Sequence, residues 1–204
     1  MTRFRILVCL VMSLAAPLAV ADKTIVVLGD SLSAGYGIDK NFGWVSLLDA
    51  RLKQQGYRYR VVNASISGDT TSGGLSRLPV TLQKLNPRIL IVELGGNDGL
   101  RGLSLNETAH NLDQIVKKGK STGARILLLG MQLPPNYGPE FSHRFRNMFT
   151  KVAAENGVAL VPFFLQNVAL RPELMQGDGI HPRVEAQGTL LDNVWPTLLP
   201  LLTR

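Results

Sequence analysis

Residues 28–37 read LGDSLSAGYG, with an apolar run ahead of the Gly-Asp-Ser and small residues behind it. Ser31 therefore stands where a strand gives way to a loop. A serine in that place suits three tasks. Its hydroxyl can be a nucleophile if a base stands beside it. It can line an anion-binding turn, or Asp30 and Ser31 can cap the next segment. The anion-binding reading is weak, because GDSLSAGYG is neither G-x-G-x-x-G nor a P-loop. A base must come from one of three histidines. His110 and His143 fall in predicted helices among polar neighbours and read as solvated face residues. His181 lies in GDGIHP, three residues after Asp178. One short turn over D-x-x-H brings a carboxylate toward the imidazole. An acceptor on one ring nitrogen fixes the tautomer and leaves the other nitrogen free as a base. The plain alternative is an Asp-Gly turn before a helix opened by Pro182. One His and one Asp at this spacing do not make a zinc site, so no metal is expected.

Two further residues gain meaning only as a pair. Gly68 in SISGD and Asn97 in GGNDG are each ordinary in a turn. A Gly backbone N–H and an Asn amide on the same edge as Ser31 are what an oxyanion hole requires. The string GKSTG at 119–123 has the G-x-S-x-G pattern but ends a helix before a strand. A nucleophile elbow needs the reverse order. A P-loop would need a glycine at position 114, which is Gln114, so the string is a helix stop.

The elements that must position these residues follow from five short apolar runs at 24–30, 59–65, 88–96, 125–131 and 158–164. Each is continuous and rich in Val, Ile and Leu, which suits parallel strands buried on both faces. Helical spacing fills about 42–55, 72–85, 105–122, 139–156 and a last stretch from about 183. The alternation predicts an α/β fold, a doubly wound parallel sheet of five strands in three layers. Ligands of such sheets bind at the carboxyl ends of the strands. The loops after the first four runs are rich in small and polar residues, and those at the other edge are plain turns. One functional edge is expected.

Composition narrows the setting. The first 21 residues combine two arginines, an apolar run and Ala19-Val20-Ala21, the pattern of a cleaved signal peptide. Residues 22–204 are then one domain of an exported, periplasmic protein. Cys9, the only cysteine, goes with the leader, so no disulfide and no thiol nucleophile remain, and the core must hold the fold. The formal charge of +7 falls to +5 without Arg3 and Arg5, and no basic run suggests a nucleic-acid surface. Neither a nucleic-acid partner nor a stable membrane anchor is expected, and the chain reads as a monomer.

The strings GDSLSAGYG, SGDTTSGG, GGNDGLRG and DGIHP occur in this order with fitting spacing. They resemble the four sequence blocks of the GDSL (SGNH) hydrolases, and the resemblance spans nearly all of residues 22–204. It implies a flavodoxin-like strand order and a serine esterase or thioesterase that needs no cofactor. It assigns Ser31 as nucleophile and oxyanion donor, Gly68 and Asn97 as oxyanion donors, His181 as base and Asp178 as its orienter. It further implies thioesters, medium to long acyl esters and lysophospholipids as small-molecule substrates. The acyl group is expected along Leu100, Leu103, Leu133, Pro134, Pro135, Tyr137 and Ile180 in the edge loops. The competing readings are a sugar-ester deacetylase and, outside enzymes, a flavin- or phosphate-binding module. The latter has no use for the Asp178–His181 pair.

Overall fold

The computed structural model describes residues 23–203; the expected leader and its cleavage site lie outside the described residues. The first strand, β1 (Lys23–Gly29), leads into a single turn of helix, α1 (Ser31–Ala34), and then α2 (Trp44–Gln54). Next come β2 (Tyr59–Asn63), α3 (Thr71–Leu85), β3 (Ile89–Glu93) and the short α4 (Gly96–Leu100). The chain continues through α5 (Leu105–Ser121), β4 (Arg125–Leu129), α6 (Pro139–Asn156), β5 (Ala159–Val161) and α7 (Gln187–Leu198). All strand pairs are parallel, in the order β2-β1-β3-β4-β5. This is the flavodoxin-like order, with its reversal between β1 and β3. Helices α2 and α7 pack together on one face, and α3, α5 and α6 on the other.

Burial explains which expectations hold. β1, β3 and β4 are covered by helices on both faces, and Ile25–Leu28, Ile89–Val92 and Leu127–Leu129 are fully buried. The edge strands differ from the expectation of burial on both faces. Arg60 and Asn63 of β2 are exposed and most of β5 is half-buried. Four of the five runs also yield shorter strands than expected, β3 and β5 most of all. β3 stops at Glu93, and the glycines after it let the chain turn into α4. β5 pairs only with Leu127–Leu129, and Pro162 follows with no N–H to extend the ladder. The register sets Gly29 beside Glu93, so the ends of β1 and β3 lie level at the functional edge.

Candidate active site

Ser31 is the first residue of α1, and Asp30 caps that helix, its Oδ1 accepting from the Leu32 amide at 3.0 Å. The cap aims the start of the helix off the end of β1 and leaves Ser31 only 9% exposed. The loop between β5 and α7 brings His181 to it. That loop is pinned by an antiparallel bridge between Met175 and Pro182, with Gln176 N donating to His181 O at 2.7 Å. Gln176 Nε2 also donates to Tyr36 O at 2.8 Å, which ties the loop to the segment after α1. The Tyr36 ring lies 4.5 Å from the imidazole, centroid to centroid.

Within the loop Asp178 and His181 meet as their spacing predicts. Asp178 Oδ1 accepts from the amides of Ile180 and His181 at 2.9 and 3.0 Å, and Oδ2 meets His181 Nδ1 at 2.6 Å. Burial works to raise the Asp178 pKa, but hydrogen bonds from the His181 amide, its ring and the Ile180 amide outweigh it and hold the carboxyl at about 2. An ionised Asp178 can only accept, so Nδ1 carries the proton and Nε2 faces outward with its lone pair. Nε2 lies 2.8 Å from Ser31 Oγ, within reach of its proton.

The two other residues converge on the same edge. Gly68 follows β2 with φ of 79°, a left-handed conformation that favours glycine. Its carbonyl accepts from Arg101 Nη2 at 2.9 Å. Asn97 is in the first turn of α4, and its Nδ2 donates to Asp30 Oδ2 and to Asp69 O, each at 3.0 Å. Both amide hydrogens thus have acceptors at rest. An oxyanion must share one of them, in a bond that strengthens as negative charge develops.

The expected groove residues divide. Tyr137, in a 3-10 turn (Pro135–Tyr137) behind Pro134, donates its hydroxyl to Leu100 O at 2.9 Å, joining the loops after β3 and β4. Leu133 is half-buried against Gly99. Leu103 and Ile180 are exposed apolar side chains, on the α4–α5 connection and the His181 loop respectively. His110 and His143 are exposed on α5 and α6 and take no part in the site.

Sequence reasoning did not single out the buried and half-buried polar groups that carry this arrangement. Asp98 accepts from the Thr71 amide at 2.9 Å and its hydroxyl at 2.5 Å, locking the start of α3 to α4. Arg77 spans three segments, donating to Asp69 Oδ2 at 2.7 Å, to Gly29 O at 3.2 Å and to Ala64 O. Glu93, wholly buried at the end of β3, accepts from the Asp30 amide and the Ser33 hydroxyl. A charged residue inside an apolar run was the available signal.

The sequence matches the GDSL-like lipase/acylhydrolase family over residues 27–188. This chain belongs to that family. Among GDSL-like hydrolases it is similar to Esterase TesA of Pseudomonas aeruginosa, 53% identical over 194 residues, which cover 95% of this chain and 96% of that one. It is 45% identical over 186 residues to Thioesterase 1/protease 1/lysophospholipase L1 of Escherichia coli K12, covering 91% and 88% of the two chains. A crystal structure of the psychrotrophic esterase EstA from Pseudoalteromonas sp., inhibited by monoethylphosphonate, superposes with a TM-score of 0.84 at 38% identity. It covers 88% of this chain and 98% of that one. The GDSL-like chain is accordingly an ester-hydrolysing enzyme.

Proposed function

We propose that this enzyme hydrolyses acyl esters, acyl thioesters and lysophospholipids through an acyl-enzyme on Ser31. The observation that carries the reading is the unbroken line from Asp178 Oδ2 to His181 Nδ1 at 2.6 Å and from His181 Nε2 to Ser31 Oγ at 2.8 Å. His181 takes the Ser31 proton as Oγ attacks the acyl carbonyl. The tetrahedral oxyanion is met by the amides of Ser31 and Gly68 and by Asn97 Nδ2. The C–O or C–S bond then breaks, and the departing alkoxide or thiolate takes the proton from His181. Water attacks the Ser31 ester, gives its proton to the same nitrogen, and frees the acid as Ser31 is reprotonated. The names of the relatives support the substrate classes, and Leu100, Leu103, Leu133, Pro134, Pro135, Tyr137 and Ile180 are the proposed acyl-contacting residues. We further infer that residues 22–204 act as one exported domain, monomeric and periplasmic, after cleavage behind Ala21. The signal-like leader motivates this; N-terminal sequencing of the exported protein should read Asp22 first, and a retained leader would refute cleavage.

The direct test is covalent. A p-nitrophenyl alkylphosphonate should release about one p-nitrophenol per enzyme, and peptide mass mapping should place the adduct on Ser31. An adduct elsewhere, or none, refutes the reading. Rates on acetyl and decanoyl esters, measured together, test the acyl preference. Equal or greater kcat/KM on acetyl would favour a short-chain or sugar-ester role.

Asn97→Ala tests the oxyanion hole. Its amide gains most when the carbonyl oxygen becomes negative and little in the ground state, so kcat should fall roughly 10²–10³-fold with KM little changed. Asn97 also joins Asp30 to Asp69, so the thermal midpoint is measured on the same preparation. A stable variant with normal kcat would remove Asn97 from the hole.

A further inference from the structure

Glu93 has no exposed surface and no task in the mechanism above. Its Oε2 accepts from the Asp30 amide at 3.2 Å and from Ser33 Oγ at 2.7 Å, while Ser33 Oγ accepts from Trp44 Nε1 at 3.2 Å. Its Oε1 is buried with no hydrogen-bond partner as an acceptor. A carboxylate there would leave both a lone-pair set and a charge unmatched, a costly state for a buried group. As an acid it sheds that charge and becomes a donor beside Asp30, whose amide already donates to Oε2. Asp30, 2% exposed, is the acceptor for both Leu32 N and Asn97 Nδ2. The glycine of the Gly-Asp-Ser makes this contact possible. A Cβ on Gly29 would stand 2.7 Å from Glu93 Oε2 and 2.9 Å from Ser33 Cβ. The absent side chain is the space in which the Glu93 carboxyl lies.

We propose that Glu93 is a positioning residue carried as the neutral acid: it shares one proton with Asp30, braces the turn that bears Ser31, and leaves Asp30 the charged acceptor that orients the Asn97 amide. This rests on the roles proposed for Ser31 and Asn97. Electrostatics run the same way. Burial, then the neighbouring Asp30 charge, push Glu93 well above the ordinary carboxyl range. Burial also raises Asp30, to about 6, against the lowering effect of Leu32 N–H, Glu93, Asn97 and His181. The groups facing the pair are His181, the Arg77 guanidinium reaching Gly29 O from α3, and the neutral Ser33 and Trp44.

The test separates acid from carboxylate. Gln reproduces the acid: its amide can donate to Asp30 while its oxygen accepts from Asp30 N–H and Ser33. Glu93→Ala should lower kcat on a p-nitrophenyl acyl ester roughly 10²-fold with KM little changed, since the reacting groups lose alignment. Glu93→Gln should restore kcat to within about threefold of wild type, less than the worth of one hydrogen bond. The pH readout has a defined sign. An acid with a raised folded pKa holds a proton that the unfolded chain has released, so its stabilisation is complete at low pH and lost as pH rises through the folded value. Gln does not titrate, so the thermal midpoint of Glu93→Gln minus that of wild type should grow as pH rises above the ordinary carboxyl range. A Gln variant as impaired as the Ala variant, an Ala variant with wild-type kcat, or a midpoint difference flat with pH overturns the proposal. If Glu93→Ala does not fold, the Gln comparison decides alone. Phosphonate labelling of wild type runs alongside. No adduct on Ser31 refutes the nucleophile, whereas a normal adduct with failed Glu93 results refutes only this inference.

Discussion

Ser31→Ala is expected to cut kcat on p-nitrophenyl acyl esters by about 10⁶-fold, the scale seen when a triad nucleophile is removed, while leaving the fold intact. The fold should survive because little is built on the hydroxyl. Asp30 still caps α1 through the Leu32 amide, and the Ser31 carbonyl still accepts from Tyr36 N at 3.1 Å. The lost contact is the Oγ bond to Nε2, worth about 1 kcal/mol to stability. Ser33, the next hydroxyl along α1, cannot replace Oγ. Ser33 is buried, with its proton committed to Glu93 and its lone pair to Trp44 Nε1. His181 can then act only on water, and any residual rate comes from the oxyanion donors and binding. Steady-state turnover, a pre-steady-state burst and a thermal midpoint on one preparation decide the matter. A folded variant that keeps more than about a tenth of wild-type kcat, or keeps its burst, would show that Ser31 is not the nucleophile.

The sheet was legible because its three inner strands are uninterrupted apolar runs, a pattern that burial on both faces imposes. Its edges were less so, since β2 and β5 carry the same residue types but lack a neighbour on one side. In the site, the Asp178–His181 pair is readable because a three-residue spacing within one turn limits where the carboxylate can go. Ser31, Gly68 and Asn97 gain meaning only jointly. They sit on different strand ends, and parallel topology alone brings those ends level. Glu93 shows why the remainder was hidden. It belongs to the apolar run 88–96, where hydropathy takes it for a strand residue and nothing local names its partners. Those partners, Asp30 and Ser33, lie 60 or more residues away, and the Gly29 gap that admits its carboxyl exists only once β1 and β3 pair in register. Asp98 and Thr71 are 27 residues apart, and their bond is set by how α3 meets α4.

Asp178→Asn should lower kcat by about 10⁴-fold even though Asn is nearly isosteric, and the loop geometry gives the reason. Oδ1 of Asp178 accepts two backbone N–H groups, from Ile180 and His181, at 2.9 and 3.0 Å. An Asn side chain can satisfy both only by keeping its carbonyl oxygen in that place. Its NH₂ group then faces His181 Nδ1 across the 2.6 Å contact now made by Oδ2. Two N–H donors cannot face each other, so the ring moves its proton to Nε2. In that tautomer Nε2 has no lone pair for the Ser31 proton, and the base is lost while every main-chain contact remains. Asp178→Ala, in contrast, removes the two backbone acceptor contacts as well and should loosen the loop. The acid limb of stability offers a second check. Net hydrogen bonding lowers Asp178 from the ordinary 3.8 to about 2, so its contribution is present above about pH 4 and lost as pH falls toward 2. The Asn variant should lack that part of the acid transition, although exposure of the side chain to water keeps the effect small. A variant with kcat near wild type would sink the orienting role. An intact acid transition in an inactive variant would mean that Asp178 serves the chemistry without contributing to the pH dependence of the fold.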